Sequence, residues 1–298
     1  MLEIDILPAS KETKGADAIL LRFGEFNYTG RPNNQTIVLI DGGYADASKL
    51  IINHIKNVYN SNKIDCVICT HPDADHIDGL IELLKTDNLT IDNLCVHNPW
   101  KHAYAVSRKI KDNRSTTNSV RNRLDDGLSA LDDLLALADE NKIKTHEPFA
   151  GFKIYDIITV LGPSENYYCE LLPQYPGMHE ERTLCSDGDV VEVEYNKNNG
   201  HFHESPITTA KNDSSMVLYL NYNGYSVLFS GDAGVEGLSK AINYAKGNNI
   251  AIAGPNFFQI PHHGSIKNIN PAILSEISPK AAFVSAPPKS NKHPSRHI

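Results

Sequence analysis

Long apolar runs are what this chain lacks most visibly. No stretch approaches the ~20 apolar residues that a bilayer-spanning helix needs, so no membrane association is expected. The opening Met1-Leu2-Glu3-Ile4-Asp5 has neither a basic segment nor an apolar one, so no secretory signal is expected. Cysteine is scarce and odd in number: five, at 66, 69, 95, 169 and 185. Cys66 and Cys69 have CxxC spacing but lie in an apolar segment, and they read as buried free thiols rather than a redox pair or zinc knuckle. A cytoplasmic location follows as the expectation. Positive charge is in deficit, with 28 Lys and Arg against 36 Asp and Glu, a net −8, which argues against wholesale coating of a nucleic acid. Bound metal would reverse that locally. No internal repeat is visible. What remains is ample: 298 residues at 41% hydrophobic can bury a large core around one site.

The chain is organised around Thr70-His71-Pro72-Asp73-Ala74-Asp75-His76-Ile77-Asp78-Gly79. Here His71, Asp73, Asp75 and His76, all metal-ligand types, crowd between an apolar strand pattern (Ile64–Cys69) and an amphipathic helix pattern. Ligands at the carboxyl end of a strand are where open sheets place their sites. Imidazoles with carboxylates suit zinc, manganese or iron(II), and the carboxylates shift the preference toward harder ions.

In order along the chain, strands are predicted at Leu2–Leu7, Ala18–Phe23 and Thr36–Asp41, the last running into Gly42-Gly43. A helix over Lys49–Tyr59, the motif strand and helix, and a strand at Ile91–Val96 follow, so a mixed sheet flanked by helices is expected. Residues 98–150 read as a mainly helical insertion. Its first part is basic, and Arg108, Lys109, Arg114 and Arg121 are candidates for contacting phosphate. Its second part is acidic with a leucine stripe. One strand is predicted over Phe152–Leu161, then a short helix. The region Cys169–Pro206 reads as loops with a strand at Val190–Glu194, and His201 and His203 there have weak ligand spacing. A hairpin at Met216–Ser230 ends in Ser230-Gly231-Asp232-Ala233, followed by a helix over Val235–Ala245. Strands at Pro255–Pro261 and Ala281–Ala286 follow, the first leading to His262-His263-Gly264-Ser265 and the second to Asn291-Lys292-His293-Pro294.

The motif loop resembles the metal-binding signature of the metallo-β-lactamase fold, His-x-His-x-Asp-His, with Asp73 where the second His normally stands. With Asn212-x-x-Ser215, Ser-Gly-Asp-Ala at Ser230, His-His-Gly-Ser at His262 and the His-Pro ending, it resembles in particular the branch holding the hydrolase domain of the ComEC competence (DNA-uptake) proteins. The resemblance implies an α+β four-layer αβ/βα sandwich, a single domain over 1–298 with the insertion at about 98–150. It implies two divalent metal ions, Zn or Mn. His71 and Asp73 would hold the first; Asp75, His76 and one of His262/His263 would hold the second; Asp232 would bridge them. Asn212 or Asp213 stands where a further His is usual. Asp41 would orient the metal loop. Asp75, Asp232, His263 and His293 are expected to carry the chemistry, with Ser265 and Asn291 as candidate substrate donors. The function implied is metal-dependent hydrolysis of a phosphodiester, a nuclease above all, with a small ester, lactone, thioester or lactam as alternative substrate. A third alternative is a binding module with a weakened metal site. It also implies further chain after His293-Pro294.

Overall fold

The computed structural model describes every residue except 26–33, 111–115, 179–206, 291–292 and 296–298. Arg114, Asn291, His201, His203 and the strand predicted at Val190–Glu194 lie outside the described residues. The chain forms two compact units, one of Met1–His97, Leu128–Glu147 and Ser285–Lys289, the other of Asn98–Gly127, Pro148–Val284 and Ser290–Ile298.

The first unit is built on a six-stranded sheet in sequential order: β1 (Leu2–Ile6), β2 (Ile19–Glu25), β3 (Asn34–Ile40), β4 (Lys63–Ile68), β5 (Thr90–Cys95) and β6 (Lys144–His146). The first three strands form an antiparallel meander, and β3 through β6 are parallel. Ile19, Leu20 and Leu21 are all buried, so β2 is covered on both faces, and this explains its unbroken apolar run. Helix α1 (Ala47–Asn57) buries Ile51 and Ile55. Helix α2 (Ala74–Leu84) buries Ile77, Leu80 and Leu84, the spacing of a single helix face. Helix α5 (Ser129–Glu140) buries its leucine stripe through Leu131 and Leu134, and Asn141 beyond its end donates from Nδ2 to the Leu84 carbonyl at 2.7 Å. The stretch expected to be mainly helical also holds a strand: Lys144–His146 completes the sheet beside β5. Three residues are too few for a period to register.

The second unit repeats the plan with another six-stranded sheet, β7 (Lys153–Ile154), β8 (Ile158–Gly162), β9 (Val217–Tyr222), β10 (Tyr225–Phe229), β11 (Phe257–Gln259) and β12 (Ala282–Phe283). Strands β7 to β10 are antiparallel, and β10 to β12 are parallel. The single strand expected over Phe152–Leu161 is a hairpin. Tyr155 and Asp156 adopt positive φ (49 and 57°) between β7 and β8, a turn hidden in an apolar run. The β9–β10 turn falls at Asn223-Gly224, both with positive φ, the geometry that suits the twist of a tight hairpin. Helices α3 (Ala103–Lys109), α4 (Thr117–Gly127), α6 (Glu165–Leu171), α7 (Ala210–Asp213), α8 (Val235–Gly247) and α9 (Pro271–Ile277) belong to this unit. Its core joins Leu238, Ala241 and Ile242 of α8 to Leu228, Phe258 and Ile273.

Both sheets thus change from antiparallel to parallel at one strand, β3 in the first and β10 in the second. In each unit a carboxylate follows that strand (Asp41, Asp232) and histidines follow the next parallel strand (His71 and His76; His262 and His263). Parallel neighbours end side by side, so their following loops are brought together.

Candidate metal centre

In the first unit the ligand loop is held from the end of β3. Asp41 leaves the strand with φ 57°, a conformation Asp tolerates better than most residues. Its Oδ1 accepts from the Thr70 backbone N–H at 2.8 Å and its Oδ2 from the Thr70 hydroxyl at 2.7 Å. The same Oδ2 lies 2.8 Å from Nδ1 of His76. A carboxylate on Nδ1 places that proton there and leaves Nε2 as the nitrogen with a lone pair for a metal. Thr70 Oγ1 is 3.2 Å from Nδ1 of His71, so Nε2 is the nitrogen of this ring that would face a metal. The His71 and His76 side chains are fully buried, with ring centroids 4.2 Å apart. Asp73 Oδ2 lies 3.6 Å from His71 Nε2, and Asp75 Oδ2 lies 3.9 Å from His76 Nε2. All four expected ligands of this unit are therefore gathered.

Helix α2 seats tightly on the turn after β3. The Gly42 N–H donates to the His76 carbonyl at 2.7 Å and the Gly79 N–H to the Gly43 carbonyl at 2.8 Å. A Cβ on Gly79 would stand 1.9 Å from the Gly42 oxygen, so this approach requires glycine. Position 79 thus fixes the height of His76 against Asp41.

Sequence reasoning missed one residue of this unit. Asp17, 1% exposed, places a carboxylate oxygen within 4.8 Å of a ring nitrogen of His76. The only signal available was an acid framed by alanines at the entry of a buried strand.

In the second unit Asp232 is 2% exposed, and its backbone N–H donates to Ser215 Oγ at 3.2 Å. His262 and His263 follow β11 with φ of 46 and 52°. Two consecutive left-handed histidines are strained backbone of the kind that collects at functional sites. His263 is buried and offers a nitrogen within 4.8 Å of an Asp232 carboxylate oxygen. His262 Nε2 lies 3.7 Å from Asp232 Oδ2, with 23% of its side chain exposed. Its Nδ1 is 3.0 Å from Asn268 Oδ1 and 3.1 Å from Asn212 Nδ2, so it donates to one or accepts from the other. Asn268, which carries no sequence signal, also donates to the Asp232 carbonyl at 2.7 Å. His293 stacks on His262 at 5.6 Å.

Two expected members have other work. Asp213 Oδ1 accepts from the backbone N–H groups of Gly234 (2.9 Å) and Gly237 (3.2 Å), at the start of α8. This is a cap on a helix end. Burial raises its carboxyl above the ordinary Asp range, opposed by those two hydrogen bonds. Ser265 is buried and accepts at Oγ from the Lys267 N–H at 3.3 Å, closing a local turn. Of the basic candidates, Arg108 lies 3.2 Å from the Tyr104 hydroxyl, Lys109 lies 3.8 Å from Glu170, and Arg121 is exposed on α4. Cys66 and Cys69 are buried thiols outside any disulfide, as expected, and burial holds the Cys69 thiol well above its usual range.

The first unit's donor set, imidazole nitrogens with several carboxylates, fits a divalent ion, and the second offers His262 and His263 with the single carboxylate of Asp232. In strand order, sheet make-up and ligand loops, the two units have the mixed α/β architecture implied by the metallo-β-lactamase resemblance. No family model matches the chain. The chain is similar to ComE operon protein 3 of Bacillus subtilis (strain 168), at 27% identity over 110 residues. That match covers 36% of this chain and 13% of the relative's length. Among solved structures, it is similar to a diphosphatase of the PhnP family, at 10% identity over 99% of this chain and 90% of that one, with a TM-score of 0.43. It is also similar to the β-hydroxylase CmlA, at 10% identity over 93% and 46%, with a TM-score of 0.42. A metallo-β-lactamase from Pontibacter korlensis is 13% identical over 83% and 86%, with a TM-score of 0.32. These names describe three different reactions, and the likeness concerns fold alone. Among the described residues, no helix is long and apolar enough to cross a membrane.

Proposed function

We propose that the chain is a metal-dependent hydrolase of phosphodiesters, with a nucleic-acid backbone as its substrate. The observation that carries the metal reading is the Asp41 clamp. One buried carboxylate sets the tautomer of His76 and the position of Thr70, the way carboxylates orient metal-binding histidines. His71, Asp73, Asp75 and His76 would hold metal in the first unit, and Asp232 with His263 would hold metal in the second. A pair of such ions supplies a water of lowered pKa and positive charge beside the attacking and leaving oxygens.

The protein's own groups do the rest. Asp41 and Thr70 orient the ligand loop. Asn268 and Ser215 hold the backbone of Asp232. His262, less buried than His263 and stacked on His293, is the group placed to give a proton to a leaving oxygen or bind a phosphate oxygen. Support for a phosphodiester comes from the ComEC-like variant motif, from the match to ComE operon protein 3, and from the basic residues Arg108, Lys109 and Arg121 in an otherwise acidic chain.

The test is a substrate panel run on chelator-treated protein reloaded with Zn or Mn: a single-stranded and a duplex polynucleotide, a small activated phosphodiester, a lactam, a lactone and a thioester. Metal-dependent cleavage of the phosphodiesters, lost in Asp232→Asn with the fold retained, is the expected result. Cleavage confined to the lactam, lactone or thioester would transfer the site to the other substrate class. No turnover with metal bound would leave a binding module.

A further inference from the structure

We propose that Asp17 is a further oxygen ligand of the ion that His76 would hold. The inference rests on the metal reading above and adds a donor from outside the His71–His76 loop. Asp17 lies on the segment entering β2 between two buried alanines, Ala16 and Ala18, so its surroundings are packed rather than solvated. Its backbone N–H donates to the carbonyl of Asp75 at 3.2 Å, which fastens this segment to the first turn of α2. The carboxylate so placed has an oxygen within 4.8 Å of a His76 ring nitrogen.

Charge makes the case for a cation there. With Asp17, the first unit gathers four carboxylates (Asp17, Asp41, Asp73 and Asp75) about His71 and His76. Two imidazoles carry at most two positive charges, and as metal ligands they carry none. Asp17 and Asp41 are each 1% exposed while the Asp73 and Asp75 side chains are partly exposed, and two buried carboxylates beside neutral imidazoles are unfavourable unless a cation is among them. A divalent ion beside His76 supplies it. An extra carboxylate also hardens the donor set, so manganese gains more from Asp17 than zinc does.

The test compares chelator-treated wild type with Asp17→Asn by three readouts. Free Mn(II) is followed by its paramagnetic resonance signal, Zn(II) by competition with a chromophoric chelator, and the metal-free proteins by thermal unfolding. A ligand role predicts that Asp17→Asn loses at least the roughly 10- to 100-fold in Mn(II) affinity that losing an outer-shell partner costs, with a smaller loss for Zn(II). It also predicts that the metal-free variant melts at or above the wild-type temperature, because a repelled buried charge has gone. A structural carboxylate predicts the reverse: unchanged metal affinity, and a metal-free variant that melts lower or does not fold. Either of those results overturns the inference alone. A wild type that binds neither metal overturns the metal reading and this inference with it.

Discussion

Replacing Asp41 by Asn is the perturbation that reaches furthest into the site while changing least. The side chains are the same size, and Asn tolerates the φ of 57° that this position requires. The amide nitrogen, however, can only donate. Asp41 Oδ2 now faces both the Thr70 hydroxyl at 2.7 Å and His76 Nδ1 at 2.8 Å, so an amide nitrogen at that place must donate to Nδ1. The His76 proton then moves to Nε2, and the lone pair that would bind metal is occupied. Losing such an orienting carboxylate typically costs about 10- to 100-fold in metal affinity, or about 1.4–2.8 kcal/mol. Isothermal titration with Zn(II) measures the affinity, and nitrogen-15 chemical shifts of the His76 ring report the tautomer directly. If Asp41→Asn binds metal as tightly as wild type with His76 still protonated on Nδ1, the clamp has been misread. The reasoning would fail equally if the tautomer switched and affinity did not.

Further outcomes follow from the same geometry. Gly79→Ala would ordinarily stabilise a helix interior by about 1 kcal/mol, but its Cβ meets the Gly42 oxygen at 1.9 Å, so chemical denaturation should give a loss of about 3 kcal/mol instead. For Asp213 the folded pKa is raised, so the native state binds the proton more readily and its stabilising effect is present at low pH. That effect is lost as pH rises through the folded pKa. Asp213→Asn keeps an oxygen for the Gly234 and Gly237 N–H groups and sheds the buried charge. Its stability should equal or exceed wild type at neutral pH, and the difference should shrink as the buffer is acidified. A variant less stable than wild type at pH 7 would contradict this. Changing Arg108, Lys109, Arg114 and Arg121 to Ala should lower polynucleotide affinity and flatten its salt dependence by about one unit of slope per lost phosphate contact. Hydrolysis of a small activated phosphodiester should stay at the parental rate, and an unchanged salt slope would remove these residues from the interface.

The parts of this structure legible in the sequence were those where one physical requirement fixes several residues together. A strand-to-helix junction with two histidines and two acids leaves a dense local signature, and the structure gathers all four around buried rings. The β9–β10 hairpin and the amphipathic helices were readable for the same reason. Asp17 was not, because its chemistry depends on packing against α2, about sixty residues away in sequence, and a lone acid between alanines has no local period. Asp213 misled in the opposite direction. An acid beside Asn212 and before a glycine-bearing segment looks like a ligand, yet Gly234 and Gly237 leave room for it to reach the start of α8. That His263 is buried, and that both histidines are left-handed, is not something the dipeptide His-His reveals. The turn at Tyr155-Asp156 was hidden because Tyr is not a usual choice for positive φ and a single Asp stands in a run of strand formers.

Metal content tests the central claim most directly. Chelator-treated protein is reloaded with excess Zn or Mn, freed of unbound ions by gel filtration, and its metal counted per chain by plasma mass spectrometry beside His71→Ala and His76→Ala. The account predicts about two ions per chain in the wild type, as paired-ion hydrolysis requires, and fewer in both variants. A wild type that retains no ion, or variants that retain as many as wild type, would contradict it.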